Sequence, residues 1–298
     1  MRKLKLASLI IASTLTTSCE KVVLDETTSG NNNEGNTPTT NISIRITGVG
    51  NEKYEENAAK TSRAAQPIEE LCTRINLAIY QNGERVCYVN QKSTDNGFGH
   101  FNINIPAGLY TLMIVAHSGE SSATTTNLRK ITFNGKVTDT FHYADSLFEV
   151  HETNSPVEIT LERVVGMFRL DITDHIPTDV SRLKFYYTGG SSTLDGLTGT
   201  GCVDSKQTEY RNVTSGVNLY EVYTFPHNPE KPITMTITAQ DANESTVEER
   251  IFENIGISKN KITRYRGDFF NSTTTTSKDF NVSMTANPEW LEETTVSF

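Results

Sequence analysis

The chain has no dense basic block. Its 27 lysines and arginines are outnumbered by 36 acids, a net charge of −9. Nucleic acid is therefore not expected as a partner, because affinity for it comes from cations that neutralise phosphates. Zinc-ligand spacing is missing too. The histidines are His100, His117, His142, His151, His175 and His227, with no close pair and no His-Glu-x-x-His. There is no Gly-x-Ser-x-Gly elbow. Gly196-Leu197-Thr198-Gly199-Thr200-Gly201 is rich in glycine but has no Lys-Ser/Thr or helix after it, so it reads as part of a long loop, Gly189–Gly201. Asp171 and Asp174 are three residues apart, on opposite faces of a strand, and read as a solvated strand end. Cys87 or Cys202 as a nucleophile would need a histidine partner, and both read as inert thiols. No catalytic residue, metal ligand or cofactor is expected, and an enzyme is the third choice of function class.

Tryptophan is nearly absent as well. Trp290 is the single one, so the usual aromatic platform for sugars would have to be built from the eleven tyrosines. Most of these sit within strand patterns and read as core or cross-strand pairs. What the chain does have is serine, threonine and short β-branched and aromatic runs, a composition that favours strands.

The one long apolar stretch is at the start. Arg2, Lys3 and Lys5 precede Leu6–Leu15, and Thr16, Thr17 and Ser18 lead into Cys19. The run is too short to span a bilayer. It reads as a lipoprotein signal, cut before Cys19, whose thiol carries lipid. The usual leucine three residues before the cysteine is replaced by Thr16, with Leu15 one place further back. An ordinary secretory signal with an incidental cysteine is the plainer alternative. Several acyl chains, at about 0.8 kcal/mol per buried CH₂, would hold the protein firmly on a membrane outside the cytoplasm.

Residues 20–40 read as a polar tether. In Asn41–Val49, Ile42, Ile44 and Ile46 alternate with polar residues, the mark of a half-buried strand. A charged connector, Gly50–Gln66, follows and contains Arg63-Ala64. The rest reads as nearly all β. Strands are expected at Leu71–Tyr80, Arg85–Asn90, His100–Ile105, Gly108–His117, Leu128–Phe133, Ser146–His151 and Val157–Leu161. A second set is expected at Val164–Ile172, Arg182–Tyr187, Leu219–Phe225, Ile233–Ala239, Thr246–Phe252, Lys261–Phe269 and Phe280–Met284. Short strands with turns between them indicate sandwiches, with a boundary near Glu162. A single helical turn is placed near His175-Ile176-Pro177.

Asn82-Gly83 is a two-residue hairpin turn. If Gln81 pairs with Glu84, Val86 faces Ile79, Tyr88 faces Leu77 and Cys87 lies opposite Ala78. Cys72 is then about 20 Å away along the strand, too far for a disulfide. Free thiols are expected, or one bond involving Cys202. Asp145-Ser146-Leu147 resembles an Asp-Ser/Thr-aliphatic O-glycosylation site.

The order of these features resembles the fimbrillin superfamily of Gram-negative gut and oral anaerobes. The resemblance rests on the signal ending at Cys19, the strand Ile42–Ile46, and Thr61-Ser62-Arg63-Ala64. It extends through Ile105-Pro106-Ala107-Gly108-Leu109-Tyr110, Leu161-Glu162-Arg163-Val164-Val165-Gly166 and 260–270. It implies an all-β fold of two tandem transthyretin-like Greek-key sandwiches. The segments would be 1–18 signal, 19–65 tether and cleavable strand, 66–162 first sandwich, and 163–298 second sandwich. The resemblance also implies cleavage after Arg63 by an arginine-specific protease, leaving Ala64 first. The plug strand carrying Ile42, Ile44 and Ile46 would be lost. A strand from another fimbrial subunit would fill the groove, with Phe280, Val282 and Met284 the candidate donor. The partners implied are other fimbrial subunits, the protease, the outer membrane through lipid, and a host or bacterial surface receptor. The alternative is a monomeric glycan-binding surface lipoprotein, or a fimbrial anchor subunit that is never cut.

Overall fold

The computed structural model describes residues 38–50, 68–271, 282–285 and 292–297. β1 (Thr39–Gly50) precedes one helical turn, α1 (Ile68–Leu71). There follow β2 (Arg74–Gln81), β3 (Glu84–Lys92), β4 (His100–Pro106), β5 (Gly108–His117), β6 (Ile131–Thr132), β7 (Thr140–Val150) and β8 (Val157–Arg163). The later strands are β9 (Gly166–Ile172), β10 (Arg182–Gly190), β11 (Thr193–Asp195), β12 (Thr200–Gly201), β13 (Ser205–Asn212) and β14 (Leu219–Thr224). Last come β15 (Ile233–Gln240), β16 (Thr246–Ile255), β17 (Lys261–Gly267), β18 (Val282–Thr285) and β19 (Glu292–Ser297).

The first seven-stranded sheet runs β3-β2-β5-β7-β8-β1-β4. β7 and β8 meet only at Phe141↔Arg163 and His142↔Glu162. That narrow seam makes the sheet two arcs, which pack inward on one core. Ile75, Leu77, Ile79, Leu112 and Ile114 come from one arc, and Ile42, Ile44, Phe101, Ile103, Ile159 and Leu161 from the other. The chain changes sheets at Val164-Val165. β9 belongs to a five-stranded sheet, β14-β9-β17-β19-β18, and β10 to a four-stranded one, β13-β10-β15-β16. These two share a second core that includes Phe168, Phe185, Tyr187, Met235, Phe252 and Tyr265.

A third cluster joins the halves. Tyr80, Met113 and Val115 on the outer face of the first sheet meet Val165, Leu194, Phe225 and Ile262. A small sheet, β12-β11-β6, crosses the same seam. Here the sequence reading is corrected: Gly189–Gly201 is not a free loop. Its glycines are there for close approach. A Cβ on Gly196 would stand 2.5 Å from the Leu128 carbonyl oxygen, and one on Gly201 2.6 Å from that of Phe225. Arg163, at the end of β8, pins the seam. Its buried guanidinium donates to both Asp139 carboxylate oxygens at 2.8 and 3.0 Å and to Asn260 Oδ1 at 3.1 Å, and it lies 4.8 Å over the Phe141 ring.

Other corrections have local causes. Leu71 ends the helical turn rather than starting a strand, and Thr73 lies outside β2. No helical turn forms at His175-Ile176-Pro177. Ser205–Asn212, not among the expected strands, is an edge strand. Asn82 and Gly83 adopt positive φ, 52° and 84°, as the expected hairpin turn requires. A bulge then slips the register, so Tyr80 pairs with Arg85 and Ile79 with Cys87. One extra residue reverses the faces of a strand. Val86 is thereby exposed, and Cys87 packs on the first core instead of facing Ala78. Asp171 and Asp174 are not a solvated end. Asp171 accepts from Arg264, and Asp174 accepts the backbone N–H groups of Phe269, Phe270 and Asn271. The thiols of Cys72, Cys87 and Cys202 are free, and burial raises the pKa of each.

Two histidines are buried on the outer face of the first sheet. His117 Nδ1 accepts from Gly119 N–H at 3.0 Å, and His142 Nε2 lies 2.8 Å from the Gly196 carbonyl oxygen. Burial, helped by nearby Arg74, lowers His117 from 6.5 to about 4. Burial lowers His142 to about 4 as well, with Lys259 adding to the shift, against the hydrogen bond to Gly196 and the Asp195 charge. The unfolded chain takes up these protons first. Stability is therefore full above pH 6.5 and falls as the pH drops towards 4, by up to about 1.4 kcal/mol per pH unit for each histidine. His142→Gln retains a donor for Gly196. Its thermal midpoint should fall less steeply than wild type between pH 6.5 and 4; parallel curves would refute the assignment.

Candidate functional site

The site is the slot that β1 occupies. β1 runs antiparallel to β4, with Ile42 opposite Ile103 and Ile44 opposite Phe101. On its other side it runs parallel to β8, with Ile44 opposite Val157 and Ile46 opposite Ile159. Ile44 is 0% exposed, and Ile42, Ile46 and Val49 are buried with it in the first core. Polar residues between them face outward. Asn41 Nδ2 donates to Asn104 Oδ1 at 3.0 Å, and Thr47 Oγ1 donates to the Ile159 carbonyl at 3.2 Å.

The register on β8 jumps from Ile46↔Ile159 to Gly48↔Thr160, so Thr47 is the extra residue of a bulge. Gly48 has φ 146°, a conformation that suits glycine. The bulge changes which positions point inward. Ile42, Ile44 and Ile46 are followed by Val49, not by residue 48. The alternation alone marked the three isoleucines; the bulge residues and Val49 were missed. Their signal in the sequence is the break in period at Gly48-Val49.

β4 has no sheet partner besides β1 among the described strands. Removing β1 would leave β4 unpaired and bare one edge of β8, with a row of open N–H and C=O groups. It would also uncover the sockets of Ile42, Ile44, Ile46 and Val49. At about 1.5–3 kcal/mol per buried side chain, that is on the order of 6–12 kcal/mol as an upper estimate. A whole domain is typically stable by only about 5–15 kcal/mol. The slot must be filled for the first sheet to persist.

The remaining sites named from the sequence lie elsewhere. Cys19, Arg63, Ala64, Phe280 and Trp290 fall outside the described residues. Val282 and Met284 belong to β18, which pairs antiparallel with β19, Val282 opposite Val296 and Met284 opposite Thr294. β19 in turn runs parallel to β17, and Val296 enters the second core. The C-terminal strands thus close their own half's sheet and are not brought to the slot. Ser146 and Leu147 sit exposed on a bulge of β7. No cluster of three His, Cys, Asp or Glu residues able to hold a metal occurs among the described residues.

A model of the family of unknown function DUF6562 matches residues 32–297. The chain belongs to this family. The match takes in β1, so the slot and its occupant both lie within the DUF6562 region. No curated protein is significantly similar. Solved structures are. A candidate cell-adhesion protein from Bacteroides eggerthii shares 14% identity, with a TM-score of 0.48 over 87% of this chain and 95% of that one. The fimbrial anchor protein Mfa2 of Porphyromonas gingivalis shares 10%, with a TM-score of 0.42 over 71% and 81%. The tip fimbrial protein Mfa3 of the same organism, in a C-terminally truncated form, shares 9%, with a TM-score of 0.41 over 77% and 94%. Fimbrial proteins are among the structures to which this DUF6562 chain is similar.

Proposed function

We propose that this protein is a structural fimbrial subunit at the cell surface, without catalytic activity. It is exported as a lipoprotein with lipid on Cys19, matured by cleavage after Arg63, and polymerised by donor-strand exchange for adhesion. In this reading the halves are two tandem transthyretin-like Greek-key sandwiches. A single observation carries it: among the described strands, the only one that bridges β8 and β4 lies N-terminal to Arg63. One cut at that bond severs the covalent tie of β1 to the sheet it completes, and leaves an edge ready for strand addition. A donor must alternate apolar residues as Ile42, Ile44 and Ile46 do. Phe280, Val282 and Met284 have that period. As a donor, this segment would have to leave its pairing with β19.

That pairing favours a second reading. With β1 in its slot and β18–β19 closing their own sheet, both ends are satisfied within one chain. This is the state of an uncut anchor subunit or a monomeric surface lipoprotein. Intact mass of the protein taken from cells separates the two. A subunit that polymerises starts at Ala64 and lacks lipid, and Arg63→Ala keeps it long and monomeric. A lipidated wild-type chain starting at Cys19 and untouched by an arginine-specific protease would overturn the first reading and leave the second.

A further inference from the structure

Two tyrosines escape burial on the outer face of the four-stranded sheet. Tyr186 on β10 is 36% exposed, and Tyr210 on the neighbouring edge strand β13 is 49% exposed. Lys184 is paired with Tyr210, and Tyr186 with Thr208, so the two rings are diagonal neighbours on one face. Diagonal positions across adjacent strands are about 7–8 Å apart, within reach of long side chains. Successive sugar rings of a single chain can span that gap. The Tyr210 ring is also held in place. The Arg182 guanidinium stacks 4.7 Å from its centroid, and is itself fixed by Gln240 at 2.9 Å and Glu244 at 3.0 Å.

The charge of this face runs against that of the chain. The protein carries −9 overall, yet no Asp or Glu stands at an outward position of β10 or β13. Lys184 and Lys206 flank the rings on the same face, and neither is in an ion pair among the described residues. Glu209 of β13 points inward, and the outward acids of this sheet lie on the opposite edge strand, β16, where Glu249 accepts from Thr238. Flat rings between cations suit a ligand with apolar ring faces and spaced negative charges.

We propose that the β10–β13 face binds an acidic polysaccharide. Tyr186 and Tyr210 stack on its sugar rings, Lys184 and Lys206 meet its carboxylate or sulfate groups, and Arg182 positions Tyr210. The site is far in sequence from the β1 slot, and the proposal does not depend on strand exchange.

The test is calorimetric titration of the full chain with polygalacturonate. Saturable binding that weakens with added salt is expected, as for exposed charges. Tyr186→Ala and Tyr210→Ala should each weaken it roughly tenfold. Lys184→Glu with Lys206→Glu should abolish it, while Tyr210→Phe, which keeps the ring, retains it. All these residues are exposed or half-buried, so an unchanged thermal midpoint verifies folding of each variant. Three results overturn the proposal: no binding, binding indifferent to the tyrosines, or equally tight binding of neutral dextran or single-stranded DNA.

Discussion

A chain that begins at Ala64 is expected not to survive as a folded monomer. It lacks β1, and with it the burial of Ile42, Ile44, Ile46 and Val49 and the only sheet partner of β4 among the described strands. The loss, on the order of 6–12 kcal/mol, is as large as the whole stability of a typical domain. Light scattering after size exclusion should show oligomers, and a dye that reports exposed apolar surface should bind. A synthetic peptide spanning Thr39–Gly50, added in excess, should return the monomer and quench the dye signal. The same peptide with Ile44→Asp should not, because the slot would then hold a carboxylate among Phe101, Val157 and the first core. The polar outward residues of the peptide are expected to matter little. A dye-silent monomer with the thermal midpoint of the uncut chain, in the absence of peptide, would show that the first sheet stands without β1.

Arg163→Met is the second large effect. Its guanidinium is 4% exposed and binds Asp139 through two nitrogens, with a third contact to Asn260 across the seam. Removing one member of such a pair strands the other, at a cost of about 3–5 kcal/mol. Asp139 is 19% exposed, so water relieves part of the penalty, and about 3 kcal/mol is expected. Denaturant midpoints measure it. The Arg163→Met, Asp139→Asn double variant should recover much of the loss, since no lone charge remains. A single-variant loss below about 1 kcal/mol would mean that the packing of Phe141, Tyr80 and Phe225 holds the seam without the ion pair.

The strands of this fold were legible where one side chain in two is apolar. Gly108–His117 matches its expected bounds at both ends, and Ile42, Ile44 and Ile46 all point inward as their period implies. Legibility failed at bulges and at buried polar groups. The extra residue at Val86 moved Cys87 from one face to the other, and the one at Thr47 brought Val49 inward. A bulge leaves little trace in composition, because its cause is the twist and pairing of neighbouring strands. Asp171 and Asp174 looked solvated because their partners, Arg264 and the N–H groups of 269–271, lie about ninety residues away in the chain.

By itself, the sequence determined the class of elements, the hairpin at Asn82-Gly83 and the period of β1. These rest on local backbone preference and on alternation, which each segment carries alone. Only the tertiary structure decided that β1 lies between β8 and β4 rather than at an edge. It alone folded Gly189–Gly201 into the seam, and it alone left Tyr186 and Tyr210 in water while Tyr187 and Tyr265 went inside. An apolar residue does not specify which distant surface covers it. That depends on which sheets meet, and here three cores share the choice.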